Sequence, residues 1–145
     1  ESEYKTVDLE NPIVLDKPYD LVISLEVAEH LSEESADTFV ESLINAGKVI
    51  LFSAAIPGQG GHNHINEQFP EYWKEKFLRY NYVFHDILRD KIWDNEEIDF
   101  WYKQNMFIVA HESISLPKDT DFKYPVIHPD LLKIQVLNNY KFTIK

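Results

Sequence analysis

Two glutamates and a histidine lie close together in the sequence, at a spacing that suits metal binding or acid–base chemistry. Glu26, Glu29 and His30 occupy positions i, i+3 and i+4, so a helical turn there would place all three side chains on one face. Such a face could hold a divalent ion, with a fourth ligand from His62 or His64. A structural role is an equal alternative, in which Glu29 caps backbone N–H groups and His30 packs under the following loop.

A second group of candidate residues lies in the stretch GQGGHNHIN, residues 58–66. Its glycines allow positive φ angles and a close approach of the backbone to a ligand, although a tight loop would require glycine for steric reasons alone. The stretch lacks the Lys and Ser/Thr of a phosphate-binding P-loop. His62 and His64 could act as a general base or as metal ligands, but histidines in surface loops are common. His62 is favoured because it lies nearer to the preceding strand.

The elements that would position both groups come before and between them. The stretch YDLVISLEVA, from residue 19, has an apolar run without polar alternation, which predicts a strand covered on both faces of a sheet. Apolar residues at helical spacing between Ser32, a candidate N-cap, and Gly47, a candidate stop, predict an amphipathic helix. A second apolar strand at 48–56 completes a strand–helix–strand unit, so the two strands are expected to be parallel.

Parallel neighbouring strands bring the loops that follow them to one edge of the sheet, where α/β proteins bind ligands. The group at Glu26, Glu29 and His30 follows the first strand, and the histidine-bearing loop follows the second. The sequence therefore predicts that both groups share one crevice.

The remainder of the chain supplies a second helix and two more strands. The helix is predicted from Pro70, with Trp73 and Phe77 on its apolar face. The stretches YVFHDIL, from residue 82, and NMFIVAHE, at 105–112, are rich in β-forming residues and predict the last strands. A polar, Trp-bearing linker is expected between them.

Two units are predicted along the chain, a main domain at 1–112 and an extension at 113–145 packed on it. Within the extension only PDLLKIQVL is expected to be helical. Most aromatic side chains are assigned to the core by default. Tyr72 lies off the apolar face of its helix, and it could form a wall of a substrate pocket.

Composition excludes several classes of partner. The chain has 145 residues and a formal net charge of −11, which disfavours nucleic acids and anionic membrane surfaces. Its longest apolar stretch is far too short to span a bilayer. The chain contains no Cys, which suits the reducing cytoplasm, and a cytoplasmic location is expected.

The motifs YDLVISLEVAEHL and GKVILFSAAIPGQGGHNHINEQFPEYW, joined by a helix, resemble the class I S-adenosylmethionine-dependent methyltransferases. The resemblance covers residues 4 to about 111. It is closest to the branch in which strand four ends in D-L-V-x-S-L-E-V-x-E-H-L and strand five runs into G-G-x-x-H-x-N-E-Q. The fold it implies is α/β, with a Rossmann-like methyltransferase sheet.

The resemblance also implies roles for individual residues. The stretch YKTVDLENPIVLDKPYD would be strand three and its exit loop, with Asp8 and Leu9 against the adenine of S-adenosylmethionine. Glu26 would border the methionine end of this cofactor. The loop at 58–66 would face a small-molecule acceptor of the methyl group, and His62 would be the base. Some relatives with the sequence E-x-x-E-H hold a divalent metal at those side chains.

One departure from the family pattern is as informative as the match. The family carries a glycine-rich cofactor loop after strand one, whereas all four glycines here lie at residue 47 or beyond. The sheet is therefore expected to be truncated at the N-terminus, without strands one and two, and the chain is expected to bind S-adenosylmethionine weakly or not at all. In the family's strand order, 3-2-1-4-5-7-6, this leaves strand four with a bare edge.

A bare apolar edge favours pairing with another strand. We therefore expect a homo-oligomer formed through this edge, or movement of the N-terminal strand beside DLVIS. Two alternatives to a methyltransferase fragment stay open at this stage. One is a non-catalytic, methyltransferase-like interaction module. The other is a metal-dependent enzyme that uses Glu26, Glu29, His30 and His62.

Overall fold

Four strands form one mixed sheet in the computed structural model, which describes residues 4–117 and 127–143. The strands are β1 (Val22–Leu25), β2 (Val49–Ser53), β3 (Tyr82–His85) and β4 (Phe107–His111), in the order β1-β2-β4-β3. β1 and β2 are parallel, whereas β4 runs antiparallel to both β2 and β3. The α/β class and the parallel first pair are confirmed.

Helices connect and follow these strands. They are α1 (Ala36–Ala46), α2 (Pro70–Leu78), α3 (Arg89–Ile92), α4 (Phe100–Asn105) and α5 (Pro129–Thr143), and two 3-10 turns at Ala28–His30 and Glu33–Ser35 lead from β1 into α1. The helices predicted after Ser32, from Pro70 and in PDLLKIQVL are confirmed. The linker expected before β4 instead contains α3 and α4, which are too short to show an apolar period in the sequence.

The core lies where α1 and α2 pack on the sheet. The buried side chains there include Phe39, Val40, Ile50, Phe52, Trp73, Phe77 and Val109. The ring of Phe52 on β2 lies 5.7 Å from that of Trp73 and 5.4 Å from that of Phe77. These contacts hold α2 against the strand that leads into the histidine-bearing loop, so the start of that loop is fixed.

The coverage predicted for the first strand is wrong. Within the described part of the chain, β1 has a hydrogen-bonded neighbour on one side only, and the side chains of Leu21 and Ile23 are 48% and 62% exposed. The two faces of a strand are covered by elements packed above and below the sheet, and among the described residues none fully covers the face of β1 that carries Ile23. The bare edge predicted from the sequence is present.

The N-terminal segment does not form the expected strand three, and it does not pair with β1. Residues 4–9 contain no strand, although the edge of β1 is open in the described structure. Isolated hydrogen bonds hold the N-terminal segment instead. The Ser32 N–H donates to Glu10 Oε1 at 2.8 Å, and the Ile13 N–H donates to Ser42 Oγ of α1 at 3.1 Å.

Helix α5 and His128, which precedes it, contact the main sheet unit. Leu131 is buried, the His128 N–H donates to Gln104 Oε1 at 2.8 Å, and Gln135 Nε2 donates to Gly58 O at 2.6 Å. Residues 118–126 of the predicted extension lie outside the described residues, and the boundary at 112/113 stays a prediction. Among the described residues, no helix combines the length and apolar character that crossing a bilayer requires.

Gly47 ends α1 as predicted, and the reason is space rather than a left-handed conformation. Its φ of 177° is extended backbone, which any residue can adopt. A Cβ at this position would lie 2.5 Å from Tyr19 O and 3.0 Å from Val22 Cγ2. Glycine thus permits the parallel bridge between Tyr19 and Gly47 that brings the chain into β1.

Gly47→Ala is expected to lower the free energy of unfolding by about 1–3 kcal/mol, the usual cost of overpacking. The backbone carbonyl of Tyr19 cannot move aside without loss of the bridge. Urea denaturation of the variant beside Lys48→Ala, an exposed neighbour, measures the effect. Equal midpoints for the two variants would contradict the close approach.

Candidate functional site

A cleft of about 320 Å³ opens where the chain leaves β1 and β2. It is lined by Glu26, Glu29, Gln59, Gly60, Gly61, His64, Phe100 and Trp101. Both groups of candidate residues thus contribute to one crevice, as the parallel strand pair predicts. The aromatic part of the lining comes from α4, which the sequence did not predict.

Glu26 turns sharply out of β1 into the cleft. Its φ of 51° lies in the left-handed region, which costs a residue with a side chain roughly 1–2 kcal/mol. Ser53 compensates, because both its carbonyl oxygen and its hydroxyl accept the Glu26 N–H, at 3.1 and 3.0 Å. The Glu26 carboxylate then accepts hydrogen bonds from Gln59 Nε2 at 2.7 Å and Asn105 Nδ2 at 3.2 Å.

A network of amide side chains holds this carboxylate. Gln59 Oε1 accepts from Asn105 Nδ2 at 2.7 Å and from Gln104 Nε2 at 3.2 Å. Gln104 and Asn105 are both buried at the end of α4, and buried amides require such partners. Neither residue was predicted from the sequence, although two amides directly before an apolar strand were a usable signal.

Glu29 is a fully buried acid with little compensation. Its side chain is 0% exposed, and neither carboxylate oxygen makes a hydrogen bond of acceptable geometry. Burial raises the pKa of Glu29 to about 7. The Glu26 carboxylate contributes to this rise in pKa, while the backbone N–H groups of Glu29 and Ala55 and the His64 side chain limit it.

His64 faces Glu29 from the opposite loop. Its Nε2 lies 3.9 Å from Glu29 Oε1, and its Nδ1 lies 2.9 Å from Glu67 Oε1. The backbone fixes the loop in the same place, because the Glu29 carbonyl oxygen accepts the N–H groups of Ile65 and Asn66 at 2.9 and 3.0 Å. The turn after β1 and the loop after β2 are therefore joined at Glu29.

The glycines of the loop have identifiable tasks. Gly58 and Gly60 have φ angles of 83° and 74°, and their N–H groups donate to the two oxygens of Glu67 at 2.7 and 3.0 Å. Gly61 packs against the ring of His64, so closely that a Cβ would overlap it. The cluster of glycines thus positions Glu67 and His64.

His30 completes a group of possible metal ligands. Its Nδ1 is hydrogen-bonded to Asn63 O at 3.3 Å, and its ring centroid lies 4.8 Å from that of His64. One ligand atom each from Glu29, His30 and His64 can be chosen so that all three lie within 4.8 Å of one another. This group includes neither Glu26 nor His62.

The other predicted site residues lie apart from this group. His62 is exposed and does not line the cleft, whereas His64 does. Asp8 is exposed, and its carboxylate accepts local bonds from the Glu10 N–H and the Asn11 side chain. The catalytic role of His62 and the cofactor role of Glu26 stay predictions.

Two further predictions concern residues outside the cleft. Leu9, expected with Asp8 to contact adenine, lines a different groove beside α1 and β1, so the cofactor roles of both residues also stay predictions. Tyr72 packs edge-on against Trp73 at 4.9 Å and does not line the cleft. Phe100 and Trp101 form the aromatic wall of the cleft, which had been expected from Tyr72.

Comparisons of the chain with protein-family models, with curated proteins and with solved structures find no match. Function therefore has to be inferred from the chemistry of the site and from the strand arrangement.

The stability of the metal-free protein is expected to fall as the pH rises from about 4.5 to above 7. The folded state binds the Glu29 proton more tightly than the unfolded state, so stability is highest below the unfolded pKa and is lost as the buried carboxyl ionises. Glu29→Gln removes this dependence, so the variant should gain roughly 3 kcal/mol over wild type between pH 5 and pH 8.

Urea denaturation with a chelator present, at several pH values, measures this difference. Glu34→Gln, a change at an exposed position, is the control and should follow the wild-type curve. If the free energy of unfolding of wild type and of Glu29→Gln changed equally with pH, this would contradict the burial of an ionisable Glu29.

Proposed function

We propose that this chain forms the acceptor-binding part of an S-adenosylmethionine-dependent methyltransferase. The observation that carries the proposal is the strand order β1-β2-β4-β3, with β4 antiparallel to both neighbours. The resemblance predicts this order for strands four, five, seven and six. The sequence motifs end near Trp73, so they do not themselves imply how the last two strands are arranged.

Among the residues that the structure describes, no complete cradle for S-adenosylmethionine is present. No glycine precedes residue 47, Asp8 and Leu9 do not line the cleft, and the Glu26 carboxylate is already bonded to Gln59 and Asn105. We therefore assign the described cleft to the methyl acceptor, and we expect the chain alone to bind the cofactor weakly.

The lining of the cleft indicates the kind of acceptor. Carboxylates, an amide, an imidazole and two aromatic rings line it, and no Lys or Arg is among the lining residues. Such a surface suits a small uncharged or cationic molecule and repels anions. The proposal also includes a small-molecule acceptor and a cytoplasmic location. It excludes nucleic acid as a substrate.

Methyl transfer to such an acceptor depends mainly on positioning and on removal of a proton from the attacking atom. His64 and Glu29 line the cleft, whereas His62 does not. The geometry thus favours His64 over His62 as the imidazole that removes this proton.

The complete product of the gene that encodes this chain is expected to bind S-adenosylmethionine about 100-fold or more tightly than the chain alone, a difference of about 2.7 kcal/mol. Calorimetry on both proteins measures it.

With radiolabelled cofactor, His64→Ala in the complete product should lower methyl transfer by about 10²-fold or more, and His62→Ala should lower it less.

A complete product without an upstream strand and glycine-rich loop, and without cofactor binding, would contradict this proposal. It would favour the non-catalytic interaction module instead. Micromolar binding of the cofactor to the chain alone would contradict the assignment of the cleft to the acceptor.

We further propose that the chain self-associates through β1. Ile23 presents an exposed apolar side chain on an edge strand without proline or charge, a typical site for pairing between chains.

Sedimentation velocity should show a dimer that Ile23→Lys weakens by about tenfold or more. Val83→Lys places the same charge on β3 at the opposite edge and should leave the dimer intact. A wild-type monomer at all concentrations, or equal effects of both variants, would contradict the proposal.

A further inference from the structure

We propose that helix α5 fixes the geometry of the cleft from outside, with Gln104 and Gln135 as the positioning residues through which it acts. Neither residue lines the cleft, and each is bonded to a residue that holds part of the lining. The proposal concerns the shape of the cleft, and it holds whether or not the chain takes part in methyl transfer.

The residues that attach α5 to the rest of the chain share one side of the helix. His128, Leu131 and Gln135 follow one another at intervals of three and four residues, which places them on one face. His128 fixes the start of the helix, because its Nδ1 accepts the Asp130 N–H at 3.2 Å and its carbonyl oxygen accepts the Leu131 N–H at 3.1 Å. Helix α5 therefore presents two polar contacts with a buried leucine between them.

The first polar contact orients the amide wall of the cleft, which is formed by Glu26 and Gln59. The His128 N–H donates to Gln104 Oε1 at 2.8 Å, and Gln104 Nε2 donates to Gln59 Oε1 at 3.2 Å. Gln104 is 1% exposed, so its amide depends on partners within the protein. A backbone N–H can only donate, and an ionised carboxylate can only accept. With His128 at one end and Glu26 at the other, the amides between them have one orientation that satisfies every bond.

The second polar contact holds the loop wall, which is formed by Gly60, Gly61 and His64. Gln135 Nε2 donates to Gly58 O at 2.6 Å, and the Gly58 N–H donates to Glu67 Oε2 at 2.7 Å. The other Glu67 oxygen lies 2.9 Å from His64 Nδ1. Gly58 is thus held from both sides, and its position determines where Glu67 and His64 lie.

The residue at position 58 is suited to this contact. A Cβ on Gly58 would lie 2.9 Å from Gln135 Nε2, and the φ of Gly58 is 83°. Glycine therefore serves two purposes here, since it permits the left-handed turn and also the close approach of α5.

Helix α5 also sets the spacing of the two contacts. His128 and Gln135 are seven residues apart, which corresponds to about 10 Å along a helix axis. A helix is a rigid spacer at this length. The end of α4 and the loop after β2, which are distant in sequence, are therefore held at a fixed separation.

These polar contacts make up much of the attachment of α5. Among its described side chains Leu131 is the one that is buried, whereas Leu132, Val136 and Leu137 are exposed. A helix that mainly stabilised the core would place a wider apolar stripe against the sheet. Loss of one polar contact is therefore expected to loosen the cleft locally and to leave the sheet unchanged.

Native-state amide exchange, followed by NMR on the full chain, tests the loop wall. Gln135→Glu keeps the shape of the side chain but turns an acceptor toward Gly58 O. It should accelerate exchange of the Gly58 and Gly60 N–H groups, which are bonded to Glu67, by about five- to tenfold. Exchange of the Val109 N–H in β4 should stay the same. Gln135→Lys keeps a donor and should restore slow exchange.

Asn138→Asp is the matched control, because it makes the same amide-to-acid change at an exposed position of α5. It should leave exchange of the Gly58 and Gly60 N–H groups unchanged. The proposal is overturned if Gln135→Glu has no effect at Gly58, if it accelerates Val109 equally, or if Asn138→Asp has the same effect. Equal acceleration at Val109 would show that α5 only stabilises the fold.

Gln104→Met tests the amide wall, because it removes both the acceptor of the His128 N–H and the donor to Gln59. Exchange of the His128 N–H and of the Gln59 side-chain NH₂ should each accelerate by about fivefold or more. Unchanged exchange at Gln59 in a folded variant overturns the proposal, and circular dichroism establishes folding. If the variant does not fold, wild-type NOEs decide. They should join the Gln135 NH₂ to Gly58 Hα and the His128 N–H to Gln104 Hγ, and their absence overturns the proposal.

Discussion

The attachment of the loop after β2 to the turn after β1 is the constraint on which the site depends. It is made at Glu29, whose carbonyl oxygen accepts the N–H groups of Ile65 and Asn66 and whose carboxylate is buried beneath His64. Each backbone hydrogen bond contributes about 1 kcal/mol. Together they keep a polar, glycine-rich segment in one conformation, although few apolar side chains hold it.

The sheet makes this attachment possible. Because β1 and β2 are parallel, their following segments leave the sheet at the same edge and meet without a long connection. The cleft acquires its second wall from α4, just before β4 returns antiparallel beside β2. Gln104 and Asn105 then reach Gln59 and Glu26. One side of the cleft is thus a rigid amide network, and the other is the group formed by Glu29 and the histidines.

The sequence predicted those parts of the structure that depend on an apolar period. The parallel pair, α1 and α2 follow from continuous or helical apolar patterns, and so does the convergence of both groups of site residues. The exposure of Ile23 could not be read from its own segment, because an apolar run does not reveal whether another element packs on that face of the strand. Helices α3 and α4 are too short for a period, so Gln104 and Asn105 were missed.

The choice between His62 and His64 shows a second limit of sequence reasoning. The two residues have the same side chain and the same local composition. The backbone dihedrals at Gly60 and Gly61 and the bond from His64 to Glu67 decide which ring enters the cleft. Position along the chain, which favoured His62, carries no information about these dihedrals. The same holds for Glu26, whose left-handed φ accompanies a side chain bonded to Asn105.

The central claim is that the segments after β1 and β2 meet at Glu29 and so bring His64 into the cleft, and a crystal structure of the protein tests it most directly. The electron density should show the N–H groups of Ile65 and Asn66 on the Glu29 carbonyl oxygen and the Glu29 side chain buried beneath His64. A structure in which His62 lines the cleft instead, or in which Ile65 and Asn66 are not bonded to Glu29, would contradict the account.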